Sequence, residues 1–96
     1  MSRIGEVLDR LYEIVEERKR TMPQGSYTAK LFKEGEDRIL QKVGEEAVES
    51  ILALKSGDKN HAVYEVADLI YHLTVALVDK DINWEDVGKE LNKRMK

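Results

Sequence analysis

The sequence predicts an all-α fold of four main helices and one short helix, forming a single domain over residues 1–96. Three observations lead there. Apolar residues recur at helical spacing in the first segment, and a later segment is apolar on nearly every side. The composition holds one Pro and one Phe among many Leu, Val, Ile, Glu and Lys, which favours helices over a β-sandwich. Ninety-six residues leave room for one core of normal size. A chain this short hides only roughly 60–65% of the surface its unfolded form exposes. Self-association is a ready way to bury more, so a homo-oligomer, at least a dimer, is expected.

The first helix is read over about residues 2–19, from one stripe of Ile4, Val7, Leu8, Leu11, Ile14 and Val15. Ser2 is its expected N-cap, and Arg18, Lys19 and Arg20 suit its C-terminal dipole. Pro23 and Gly25 break the pattern. A short helix over about 27–33 follows, capped by Ser26 and stopped at Gly35. Asp37 is the expected cap of the third main segment, which runs to about residue 55. Its predicted inward stripe is Leu40, Val43, Ala47, Ile51 and Leu54, with Lys42, Glu45, Glu46 and Glu49 on the opposite side. Gly57 marks a turn that tolerates the left-handed backbone. A long helix then spans about 59–78. The last begins at Asn83, which with Asp86 has capping-box spacing, and Ile82 and Val87 are placed for a hydrophobic staple. Trp84 most simply caps the core.

Lys plus Arg number 16 and Asp plus Glu 19, for a net charge of −3. That balance gives no reason to expect a nucleic-acid partner. Cysteine is absent, which excludes disulfides, thiolate chemistry and Cys-based metal sites and suits the cytoplasm. The start carries no apolar signal core and no apolar run approaches a membrane span, so neither secretion nor a membrane partner is expected.

The charges are more informative by position. The segment from Ala62 to Val78 is apolar almost all round, as a central, largely buried helix would be. Its ionisable residues nevertheless form one narrow stripe, His61, Glu65, Asp68 and His72, within about 60° of arc. Carboxylates on a buried helix are costly unless paired or bound to a cation. Glu45, Glu46 and Glu49 on the preceding helix can supply the other half of a cation site. Such oxygen ligands suit Mg²⁺, or Mn²⁺ in its place. A helical interaction module with buried salt bridges competes with this reading, since Arg38, Lys42 and Lys55 are available counter-ions. His72 reads as a hydrogen-bond partner behind the carboxylates or as a satisfied core-edge histidine. His61 reads as a surface or capping residue. Tyr64 and Tyr71 look like packing or interface residues.

Glu45-Glu46-Ala47-Val48-Glu49, followed after fifteen residues by Glu65-Val66-Ala67-Asp68, resembles the EExxE…ExxD signature of the all-α nucleotide pyrophosphohydrolases, which include MazG-like enzymes and dimeric dUTPases. A longer match is sharper. Residues 23–31 (PQGSYTAKL), 41–49 (QKVGEEAVE) and 64–73 (YEVADLIYHL) resemble, in order and spacing, the phosphoribosyl-ATP pyrophosphohydrolase family. The likeness covers nearly the whole chain; Gln24 and Val66 are its mild departures.

The resemblance implies a MazG-like helical bundle completed by oligomerisation. It also implies Mg²⁺-dependent hydrolysis of phosphoribosyl-ATP to phosphoribosyl-AMP and pyrophosphate, the second step of histidine biosynthesis, in a stand-alone form without the following ring-opening activity. Glu46, Glu49 and Asp68 are the implied leading ligands. Glu45 and Glu65 either complete the set or orient water. Lys42 is an electrostatic clamp beside the acidic face, and Gly25, Ser26, Tyr27, Thr28 and Lys30 are implied substrate contacts. Physically, Gly25 permits close backbone approach, and the N–H groups after Ser26 begin a helix suited to an anion. A relative acting on ordinary or damaged nucleoside triphosphates is the other enzymatic possibility.

Overall fold

A computed structural model describes residues 3–95. Among them are five helices: α1 (Ile4–Thr21), α2 (Tyr27–Glu34), α3 (Glu36–Ser56), α4 (Lys59–Asp79) and α5 (Trp84–Arg94). No strand occurs among the described residues. The predicted fold class therefore stands.

The helix ends follow from local chemistry, with one departure from the expected caps, at Asp37. Ser2 lies outside the described residues; Arg3 precedes α1 without a side-chain capping bond. At the other end α1 runs on to Thr21, where Met22 enters the left-handed region at φ 48° and its N–H reaches the Arg18 carbonyl at 2.9 Å. Pro23 follows directly and forbids continuation. Ser26 caps α2 as expected, its Oγ accepting from the Ala29 N–H at 3.1 Å. Asp37 does not cap α3. Gly35, at φ 100°, closes α2 through its N–H to Leu31 and opens α3 through its carbonyl to the Ile39 N–H. With one glycine serving both ends, Asp37 falls inside the first turn of α3 beside Glu36. Both acids then face the positive end of the helix dipole.

Helices α3 and α4 form an antiparallel hairpin. Gly57 turns the chain at φ 82°, and Asp58 caps α4 by accepting from the His61 N–H at 3.2 Å. Asn83 and Asp86 complete the capping box predicted for α5. The Trp84 indole N–H donates to Thr74 Oγ1 at 3.0 Å, which pins α5 to α4. The core gathers Val15 of α1, Leu31 of α2, Ile39 of α3, and Val75 and Val78 of α4, with Leu11, Tyr12, Phe32 and Tyr71 packed around it.

The face of α3 is the main correction. Its buried residues are Ile39, Glu46, Ser50 and Ala53, not the predicted stripe. Leu40, Ile51 and Leu54 are exposed in the single chain. Small Ser50 and Ala53 let α3 approach α4 closely, and the Ser50 hydroxyl donates to the Glu65 carbonyl at 3.0 Å, fixing the register. Helix α4 is buried mainly towards its C-terminal half, at His72, Thr74, Val75 and Val78. Towards its start Val63 and Tyr64 stand open, so it is not buried throughout as expected.

Candidate active site

Where α3 crosses α4, four carboxylates converge. Glu46 is 4% exposed and Glu65 8%, so both acids are held away from water on the faces the helices turn to each other. Glu46 lies within hydrogen-bonding reach of Asp68 and Glu49, and Glu65 within reach of Glu49. Glu46, Asp68 and His72 each offer a ligand atom, and these atoms all lie within 4.8 Å of one another.

The electrostatics follow from that crowding. A proton shared with Asp68, then burial, then Glu49 push the Glu46 carboxyl up to about 8 from its ordinary 4.5. Burial and Glu49 raise Glu65 as well, with His61 opposing. Partial burial pulls the Lys42 ammonium down, but Tyr27, Glu46 and Glu45 outweigh it and leave it raised. These carboxyls are crowded against one another, Glu46 and Glu65 with little access to water, an arrangement that a hard divalent cation relieves.

The remaining residues singled out in the sequence divide into three places. Glu45 has other partners, accepting from Gln41 Nε2 at 3.0 Å and pairing with Lys42 at 3.4 Å and Arg38 at 3.8 Å. Tyr27 and Thr28 turn their hydroxyls onto α4, Tyr27 to His72 Nε2 at 3.1 Å and Thr28 to the Tyr71 hydroxyl. Gly25, Ser26 and Lys30 line a separate small cleft with Lys33. His72 is buried, and its Nδ1 sits 2.8 Å from the Asp68 carbonyl and 3.3 Å from the Asp68 carboxylate. His61, by contrast, is exposed.

Two residues carry more than their sequence positions suggested. Ser50 follows Glu46 by one helical turn and sets the α3–α4 register; its polarity on an inward face was the available signal. Tyr71, read as a packing or interface residue, meets the His72 ring edge-on with centroids 4.8 Å apart and also bonds Thr28.

A family model described as phosphoribosyl-ATP pyrophosphohydrolase matches residues 8–95. The chain is 47% identical over 89 residues to the phosphoribosyl-ATP pyrophosphatase of Leptospira biflexa, covering 93% of this chain and 97% of that protein. It is 51% identical over 86 residues to the histidine biosynthesis bifunctional protein HisIE of Thermotoga maritima, covering 90% of this chain. It is 52% identical over 91 residues to its counterpart in Caldanaerobacter subterraneus, covering 95% of this chain. The chain spans 44% of the length of each of these two bifunctional relatives. With the helices, the carboxylate crossing and these matches in agreement, the chain belongs to the phosphoribosyl-ATP pyrophosphohydrolase family.

Proposed function

We propose that this chain hydrolyses phosphoribosyl-ATP to phosphoribosyl-AMP and pyrophosphate, at a divalent-cation site formed by Glu46, Glu49, Glu65 and Asp68. The convergence of Glu46 and Asp68 beside His72, in a chain of this family, is the observation that carries the reading. Mg²⁺, with Mn²⁺ as a substitute, fits an all-oxygen donor set on two facing helices. When bound, the ion supplies Lewis acidity and a water of lowered pKa.

The chain's own groups do the rest. Glu46, Glu49, Glu65 and Asp68 would hold the ion, releasing to solvent the protons they share in its absence. Lys42, kept charged beside Tyr27 and Glu46, faces the negative polyphosphate. Glu45 acts behind it by tethering Lys42 from the solvent side. Lys30, with Gly25 and Ser26, contributes cationic and amide donors for phosphate remote from the scissile bond.

A second copy of the chain completes the fold in this reading. The single chain exposes 7153 Å², whereas a folded monomer of 11.1 kDa is expected to expose about 5,700 Å². The excess, on the order of 1,500 Å², is the per-chain share of an obligate interface. An apolar groove around Leu54, Ala62, Val63, Val66 and Ile70 on the α3–α4 hairpin offers the face for it. The cytoplasm suits this function, and among the described residues no helix is long and apolar enough to cross a membrane.

The test is pyrophosphate release from phosphoribosyl-ATP, ATP and dUTP in Mg²⁺. Phosphoribosyl-ATP is expected to be turned over far faster than either nucleotide. Preference for ATP or dUTP sinks the substrate assignment, and no release from any of them sinks the enzymatic reading.

A further inference from the structure

The Tyr27 and Thr28 hydroxyls, in the first turn of α2, are spent on α4, and one of these contacts bears on the carboxylate site. His72 is 3% exposed and its ring is held on two sides, edge-on to Tyr71 at 4.8 Å and to Tyr27 at 5.9 Å between centroids. Its Nδ1 lies 2.8 Å from the Asp68 carbonyl oxygen. That oxygen can only accept, so Nδ1 carries the proton. In the neutral ring Nε2 is then a bare acceptor, and the Tyr27 hydroxyl 3.1 Å away donates to it. Both nitrogens are thereby occupied, and neither lone pair is free for a metal despite their closeness to Glu46 and Asp68.

We infer that Tyr27 is a positioning residue for the carboxylate site, acting through His72 on Asp68. The inference rests on the cation site proposed above and goes beyond it by placing His72 behind the ligands and naming what holds it. The same Nδ1 is 3.3 Å from the Asp68 carboxylate, so the imidazole touches both the backbone and the side chain of that residue. The chain of contacts runs from the first residue of α2, through a buried ring, to the acid that meets Glu46. A ring held in place 3.3 Å from the Asp68 carboxylate limits how far that side chain can swing from Glu46, and groups that position ligands in this way are worth about 10–100-fold in metal affinity.

Mn²⁺ alone, without nucleotide, is the probe. Tyr27→Phe removes one hydroxyl and keeps the ring; it should weaken Mn²⁺ binding by about tenfold. Tyr71→Phe breaks the neighbouring contact between α2 and α4, to Thr28, and should leave Mn²⁺ affinity within about twofold, because it does not touch the His72 nitrogens. Equal losses in both variants would mean that general docking of α2 is being read, and the chain through His72 would be refuted. Pulsed EPR of Mn²⁺ on the unmodified protein needs no variant. No nitrogen coupling from His72 is expected; a coupling that disappears in His72→Gln would make His72 a ligand and overturn the inference. The two levels separate cleanly. If the parent binds no Mn²⁺, the cation site itself fails, whereas equal binding by parent and Tyr27→Phe removes only the positioning role.

Discussion

The two ends of the α3–α4 hairpin use the same residue types for different ends. Near the start of α3 and the end of α4, Ile39, Val75 and Val78 are buried against α1 and α2 within the chain. Near the turn, Ile51, Leu52 and Leu54 of α3 and Val63 and Tyr64 of α4 are 60–70% exposed. One end is a finished core; the other is an apolar arm left open in the single chain, the face assigned above to a second copy. The arm also stretches the molecule, whose radius of gyration is 14.3 Å against about 12.5 Å for a typical domain of this length. Glu46, Glu49, Glu65 and Asp68 sit at the junction. An interhelical seam lined by acids, with apolar residues turned outward, is a poor core and a good ligand site.

The largest expected effect separates core from arm. Leu31 is 1% exposed and Leu52 63%. Leu31→Ala should cost about 2–5 kcal/mol at every protein concentration. Leu52→Ala should cost less than about 0.5 kcal/mol in dilute solution and progressively more as chains associate. Chemical denaturation over a hundredfold range of concentration checks this. Equal, concentration-independent losses would erase the distinction between the two ends.

A smaller effect belongs to the junction. In metal-free buffer the folded chain holds Glu46 near 8 against an ordinary 4.5, so between those values it binds a proton that the unfolded chain has released. Stability from this group is fully present below about 4.5 and is lost as pH rises through about 8. The loss should be on the order of 1 kcal/mol or more. Glu65 acts in the same direction. Denaturation midpoints from pH 5 to 8.5 in chelator should fall for the parent and flatten for Glu46→Gln. A parental midpoint that rises over this range would show that the junction acids are paired with cations.

What the sequence made legible follows the same division. Helix existence, the Ser26 cap, the Gly57 turn and the Asn83 box are local, and each was readable from a few neighbouring residues. The orientation of α3 was not. Periodicity tells which residues share a face, and the apolar stripe through Leu40, Ile51 and Leu54 was assigned to the chain's own interior. In a chain this small that face looks outward, and the contact with α4 is made by Glu46, Ser50 and Ala53. The convergence of Glu46, Glu49, Glu65 and Asp68 was legible because helical spacing put each set on one face. Glu45 was grouped with them by its angle on the helix and by the EExxE resemblance, and in the structure its partners are Arg38, Gln41 and Lys42 of its own helix. The Tyr27–His72 contact spans 45 residues and had no local signal.

The most direct measurement compares thermal midpoints of the parent and Asp68→Asn, each in chelator and in millimolar Mg²⁺. The amide keeps the shape of Asp68 and removes one charge from the crowded junction. In chelator above about pH 8, where Glu46 has lost the proton it shares with Asp68, Asp68→Asn should be at least as stable as the parent, because like-charge repulsion is relieved. Added Mg²⁺ should raise the parental midpoint by several degrees and the variant's hardly at all, since a ligand stabilises only in proportion to retained affinity. The same Mg²⁺ shift in both proteins, or a variant that unfolds without metal, would contradict a divalent-cation site at the junction of α3 and α4.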